Sequence, residues 1–412
     1  MKHVLLYCAA ALIMAGFAAC KPTAVQEEDN PYKAVSLTTR QADFVDTGNS
    51  FSFNLLAKVE AASDKDYVIS PLSLQFLLGM ILDGAKDATA DEICKVLGYG
   101  KGEVAAVNEY CLSMLRQLPE LDKQTKLHIA NAIYVDDGWP LKDSYKADVA
   151  NYYKAAVSNL DFSKTEESAA VINKWCSDNT EGLIKEVIEE TSPDMLAYLL
   201  NALYFKSQWL SKFDKKLSCD EVFHNPDGSK AGKVKMMKDE REMDYLSSES
   251  FQAVRLPYGN GAYSMTVLLP KDGMGVSDVT KELAANDWNI LKNSFYGCMV
   301  ELWLPRFQTT FHIKLNDILS EMGMPSSFDT RADFTPMSEY ALYLSFVNQD
   351  AVVKVDEEGT EAAAISSAGM MKNTSVGPPE KTVVFHADKP FLYLITEKST
   401  GAILFAGRYS GK

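Results

Sequence analysis

The chain lacks an excess of positive charge, is poor in histidine and has no long apolar run, and each shortage removes a class of function. Its 412 residues carry 41 Lys and Arg against 56 Asp and Glu, a formal net charge of −15. That balance argues against nucleic acid, heparin-like polyanions and anionic membrane surfaces as partners. Only five histidines occur, and His128, His224, His312 and His386 stand apart from any Ser or Cys motif of a nucleophilic enzyme. There is no zinc spacing, phosphate loop or dinucleotide fingerprint. Neither an enzyme nor a cofactor is expected. The seven cysteines are too sparse for a disulfide scaffold in a chain of this length. Cys94, Cys111, Cys176, Cys219 and Cys298 are expected as free thiols, with a Cys94–Cys111 bridge left open if their helices pack together. No Pro-, Gly- or Ser-rich linker and no internal repeat divides the chain.

The one conspicuous apolar run, Val4 to Phe17, follows Lys2 and His3 and is too short to cross a bilayer. It ends in Phe17-Ala18-Ala19-Cys20, small residues directly before a cysteine. This resembles a bacterial lipoprotein signal over residues 1–19, with Cys20 the acylated first residue. An ordinary secretory signal cleaved nearby is the simpler alternative. Either reading places the protein outside the cytoplasm, in the periplasm, on the outer membrane or at the cell surface. Residues 20–46 are polar and read as a tether, and the only membrane contact expected is through the lipid.

Beyond the tether, helix patterns dominate the first half. Ser50 to Glu60 has Phe51, Leu55, Leu56 and Val59 on one face. Pro71 opens a helix apolar all round, as buried helices are. Thr89 is expected to cap a helix over Ala90–Leu97 that Gly98 ends. Strand patterns dominate the second half, with a helix expected over Ile313–Met322. Helices first and strands later indicate an α+β fold.

Residues 351–390 break this regularity. Ala351, Val353 and Val355 alternate as in a half-buried strand, and Lys381–Phe385 is again strand-like. Between them runs a segment too long and too poor in large apolar residues for ordinary packing, which points to a binding loop or to disorder. Thr360, Ala362, Ala364, Ser366 and Ala368 form one alternating set, all small and none charged. As a strand, that set would face a crowded interior without a clash. A plain Ala-rich flexible loop is the competing reading.

Glu357-Glu-Gly-Thr-Glu-Ala-Ala-Ala364 resembles the hinge of the reactive-centre loop of the serpins, the serine protease inhibitor family. Further matches fall in family order from about residue 47 to 412: Ser70-Pro-Leu-Ser73, Gly84-Ala85 with Thr89, Asn201 with Tyr204-Phe-Lys206 and Trp209, Leu304-Pro-Arg-Phe307, Ala332-Asp-Phe334 and Lys389-Pro-Phe391. The resemblance implies three β-sheets, eight or nine helices, an exposed loop and a monomer. It implies a suicide-substrate inhibitor of serine proteases (trypsin-like, elastase-like or subtilisin-like), with cysteine proteases a second class. The loop is cut, the protease is held as an acyl-enzyme, and residues 359–372 enter the central sheet.

In that picture Glu357, Gly359, Thr360, Glu361, Ala362, Ala363 and Ala364 form the hinge. Trp209, Arg306 and Glu357 match the group at the top of the sheet. Ser70, Ser73 and Asn201 match a polar cluster beneath its centre, the shutter, where Gln349 replaces a histidine common in relatives. The scissile bond falls among Lys372, Asn373 and Thr374, with Met371 as an alternative. A serpin fold used as a non-inhibitory binding or structural module on the cell envelope is the alternative function.

Overall fold

The computed structural model describes residues 30–360 and 382–411. Among them are nine α-helices and fifteen strands. The helices are α1 (Thr39–Ala62), α2 (Pro71–Asp83), α3 (Asp87–Leu97), α4 (Val104–Gln117), α5 (Asp143–Tyr152), α6 (Thr165–Asn179), α7 (Val276–Ala285), α8 (Trp288–Asn293) and α9 (Asn316–Met322). The early strands are β1 (Tyr67–Ile69), β2 (Lys126–Asp136), β3 (Ala156–Leu160), β4 (Ala197–Gln208), β5 (Cys219–His224), β6 (Lys230–Ser247), β7 (Phe251–Tyr258) and β8 (Tyr263–Pro270). The later ones are β9 (Tyr296–Pro305), β10 (Phe307–Lys314), β11 (Asn348–Asp356), β12 (Gly359–Thr360), β13 (Val383–His386), β14 (Phe391–Glu397) and β15 (Ile403–Tyr409).

Two hydrogen-bonded sheets result. One has the order β1-β15-β14-β8-β7-β6-β9-β13, with β5 beside β6; the other runs β10-β11-β12-β4-β2-β3. The second and third of the three expected sheets are joined because β6 is 18 residues long. It pairs with β5 and β9 along one part and with β7 at its other end. The α+β architecture is as expected.

Local chemistry explains three of the element ends. Thr38 caps α1 in a capping box, bonding the Gln41 amide while the Gln41 side chain returns to the Thr38 amide. Pro71 occupies the first turn of α2, where a missing N–H costs nothing, and every residue from Pro71 to Leu82 is buried. Gly98 ends α3 in the left-handed conformation.

Three local expectations change. Pro31, Val35 and Ser36 hydrogen-bond to the body and α1 starts at Thr39, so the ordered domain begins ahead of residue 47. Thr89 lies inside α3; its buried hydroxyl accepts the Asp333 amide at 2.9 Å instead of capping the helix. Ile313 belongs to β10, and the helix expected from there begins at Asn316. All five cysteines of the body are free, with Cys94, Cys111 and Cys176 buried. Burial pushes the Cys94 thiol up to about 11 and Cys111 up to about 12, as for inert core thiols. No helix among the described residues is long and apolar enough to cross a membrane.

Candidate functional site: the seam of the six-stranded sheet

β4 is paired along Ala197–Lys206 with β2, and β11 along Asn348–Val355 with β10. On their facing edges the only ladder among the described residues is the two-residue β12. Gly359 and Thr360 pair with Gln208 and Ser207 of β4 and with Asp356 and Val355 of β11. A strand between two others sets them two ladder spacings apart, roughly 9.5 Å. Lower down, a cavity of about 140 Å³ is lined by Ala197–Ala202 of β4, Asn348–Asp350 of β11 and Leu77 of α2. At its upper end the sheet is therefore parted by a seam one strand wide, which the start of the small-residue segment occupies.

Thr360 is 2% exposed, and its hydroxyl shares a hydrogen bond with the Tyr258 hydroxyl at 2.5 Å. Gly359 has φ +153°, and a Cβ there would lie 2.1 Å from the Ser207 carbonyl oxygen. Only glycine fits a position so close to the neighbouring backbone. Trp209 closes the top of the seam. It stacks on Tyr258 with ring centroids 4.4 Å apart, and its indole N–H donates to the Asp356 carbonyl at 2.9 Å.

Glu357 is 1% exposed and held by Arg306 through Nε (3.1 Å) and Nη2 (2.7 and 2.8 Å), with Ser218 Oγ donating at 2.7 Å. Burial pushes the Glu357 carboxyl up, but the Arg306 and Ser218 hydrogen bonds outweigh it and hold the group below the usual carboxylate range. Glu358 pairs with Lys212 and Lys215, each at 2.8 Å. Both acidic residues that lead into the hinge are thus tied down by charge-assisted bonds.

The shutter residues fall into two hydrogen-bonded groups. Ser73 bonds Asn201, Asn201 Nδ2 donates to Asn131 Oδ1 at 2.6 Å, and Asn131 Nδ2 donates to the Tyr153 carbonyl at 2.6 Å. Separately, Gln349 accepts the Ser70 amide at 3.0 Å and donates to the Ser70 carbonyl at 2.8 Å, while Ser70 Oγ donates to the Leu404 carbonyl. Gln349 thus serves the start of α2 from β11. Tyr258, Ser207, Ser218, Asn131 and Tyr153 escaped the sequence reading. Their partners lie far away in the chain, and no local pattern marks them. The remaining hinge residues Glu361, Ala362, Ala363 and Ala364, the bond region Met371, Lys372, Asn373 and Thr374, and Cys20 lie outside the described residues.

The family model described as serpin (serine protease inhibitor) matches residues 46–411. The chain belongs to the serpin family. A serpin-like protein of Methanosarcina mazei is 29% identical over 99% of this chain and 97% of its own length. Serpin B6 of Macaca fascicularis is 32% identical over 89% of this chain and 98% of its own. Among solved structures, the thermophilic serpin tengpin in its native state matches with TM-score 0.81 and 27% identity, over 93% and 97% of the two chains. Human thyroxine-binding globulin complexed with thyroxine matches with TM-score 0.79 and 25% identity, over 89% and 98%. The family is one of protease inhibitors for the most part, and it includes members such as this globulin that carry a ligand instead.

Proposed function

We propose that this serpin is an irreversible suicide-substrate inhibitor of serine proteases, with cysteine proteases as a second class of target. The observation that carries the reading is the buried Thr360 at the head of a seam one strand wide. Continuing its register down the seam would set Ala362 opposite Phe205 and Val353, Ala364 opposite Leu203 and Ala351, and Ser366 opposite Asn201 and Gln349. On that inward face Thr360, Ala362, Ala364, Ser366 and Ala368 are all small and uncharged.

The reaction needs no catalytic group from this chain. The protease nucleophile adds to the scissile carbonyl among residues 371–374, the C–N bond breaks, and the leaving amine takes the proton from the protease's own base. The released strand then enters the seam and carries the esterified protease with it. About ten new ladder bonds at roughly 1 kcal/mol each would drive the step, a sum comparable to the whole stability of an ordinary domain. The uncut form is therefore a kinetically held state.

Lys372 suits a trypsin-like pocket, and Met371 an elastase-like or subtilisin-like one. Mixing the protein with one protease of each kind tests the reading. An SDS-stable covalent complex and a released peptide beginning after one of residues 371–373 are expected. Cleavage without a complex would leave the ligand-carrying or structural use of the fold. Attachment at Cys20 and placement on the cell envelope belong to the same proposal, and labelling with a radioactive fatty acid, lost in Cys20→Ser, checks them.

A further inference from the structure

The segment ahead of α1 is fastened to the body by hydrogen bonds along its length. The Val35 amide donates to Ser399 Oγ at 3.0 Å, and Gln117 brackets Ser36, accepting its amide at 2.8 Å and donating to its carbonyl at 2.9 Å. Asn260 Nδ2 donates to the Pro31 carbonyl at 3.4 Å, and the Lys398 ammonium sits 4.8 Å above the Tyr32 ring.

Asn260 lies in the turn between β7 and β8, and that turn also holds the hinge. Three consecutive residues divide the work. Tyr258 hydrogen-bonds Thr360, the Gly259 amide donates to the Gln208 carbonyl at 2.9 Å, and Asn260 reaches the strap. The turn has no slack, because Gly259 has φ +47° and a Cβ on it would lie 1.8 Å from Asp122 Oδ2.

A buried polar relay runs parallel to the turn. Asp122, 1% exposed, accepts the Asn260 amide at 3.3 Å and the Thr125 hydroxyl at 2.6 Å. Thr125 Oγ is also 2.6 Å from Ser207 Oγ, and Ser207 is the β4 partner of Thr360. A hydroxyl has one hydrogen to give. Thr125 spends it on the carboxylate, so Ser207 donates to Thr125, and the chain of donors ends on Asp122.

We propose that residues 31–37 are a latch on the hinge: docked, they fix the 258–261 turn and the Asp122–Thr125–Ser207 relay in the arrangement that holds Thr360 in the seam. The element with two arrangements is β12, in the seam or out of it, and strap and hinge both bias it. The inference rests on reading β12 as the leading end of the inserting strand.

Hydrogen exchange on the full chain without protease tests it. Gln117→Ala with Ser399→Ala unfastens the strap at the surface, far from the seam's core. Tyr258→Phe removes the hydroxyl that bonds Thr360. Each change is expected to speed exchange of the amides in 355–360 and 205–209 about tenfold, the worth of one net hydrogen bond. Combined, they should exceed Tyr258→Phe alone only slightly, since both act through one turn. Unchanged exchange, additive effects, or equal acceleration in β14 and β15 would each overturn the latch. The readout is separate from inhibition: a normal inhibitor with unaltered exchange removes the latch and keeps the inhibitor, and a latched protein that traps no protease does the reverse.

Discussion

The two sheets of this molecule treat their strand edges differently. In the nine-stranded sheet, β14 is bonded to β15 on one side and β8 on the other, and every residue from Phe391 to Glu397 is buried. In the six-stranded sheet, β4 and β11 have equally good outer partners, and among the described residues their facing edges are bridged only by Gly359 and Thr360. An unpaired edge is ordinarily a liability that proteins cover or blunt. Here the chain continues from Thr360 into a sequence whose composition suits it. In the proposed mechanism the nine-stranded sheet is scaffold, and the seamed one is the part that changes.

The largest expected effect follows from that contrast. A single cut among residues 371–374 should raise the melting temperature by more than about 10 °C, because roughly ten ladder bonds become available to close the seam. A cut in the Asn225–Ser229 turn between β5 and β6 should lower it, since it severs a connection whose two strands are already paired with each other. Calorimetry of intact and nicked protein reads both.

Thr360→Arg comes next. The position is 2% exposed against Tyr258, and an unpaired guanidinium there costs several kcal/mol at the first step of insertion. The variant should be cleaved at the wild-type rate but released as a substrate, with the SDS-stable complex lost. Undiminished complex formation would sink the role given to the seam.

How much of this could be read in the chain depends on the range of the constraint. Gly359 and Thr360 were legible because backbone approach and burial restrict the residue itself, whatever its partner. The Arg306–Glu357 pair was legible only through likeness to the family, 51 residues apart. Nothing local shows that the Tyr258 hydroxyl meets a threonine 102 residues on. Thr89 and Ile313 misled for the same reason in reverse. Each carries a respectable local signal, for a cap and for a helix face, that a distant partner overrides: Asp333 for one and the β11 edge for the other. The shared β6 of the two joined sheets was likewise invisible, because strand patterns do not reveal which of two ladders a long strand serves.

A smaller effect concerns the top of the seam and carries a definite sign. The folded Glu357 carboxyl is held below its unfolded value. It therefore contributes stability that is present above the usual carboxylate pKa, near 4.3, and is lost as pH falls through the depressed folded value. Arg306→Met removes the dominant stabilising partner and leaves burial, which pushes the other way, opposed chiefly by the Ser218 hydrogen bond. In that variant the hinge should loosen as pH rises, the reverse of the wild type. Exchange of the 355–360 amides measured between pH 3.5 and 7 distinguishes the two slopes.

The smallest effect concerns Gln349, which joins β11 to the start of α2. Its amide both accepts the Ser70 N–H and donates to the Ser70 carbonyl, two bonds that a charge-neutral side chain makes at any ordinary pH. The wild-type junction should accordingly be insensitive to pH between about 5.5 and 8, a window chosen to straddle the histidine pKa near 6.5. In Gln349→His a neutral imidazole still offers one donor and one acceptor, so the variant should behave like the wild type at pH 8. Once protonated, the ring has only donors, and the buried Ser70 amide loses its acceptor at a cost of about 1–3 kcal/mol. The folded imidazole must then have a pKa below its unfolded value, and its contribution is lost as pH falls through that range. A fall in melting temperature between pH 8 and 5.5, confined to Gln349→His, is the expected result. A flat profile in the variant would mean that the junction tolerates an open acceptor site, and that the seam is held by Thr360 and its neighbours alone.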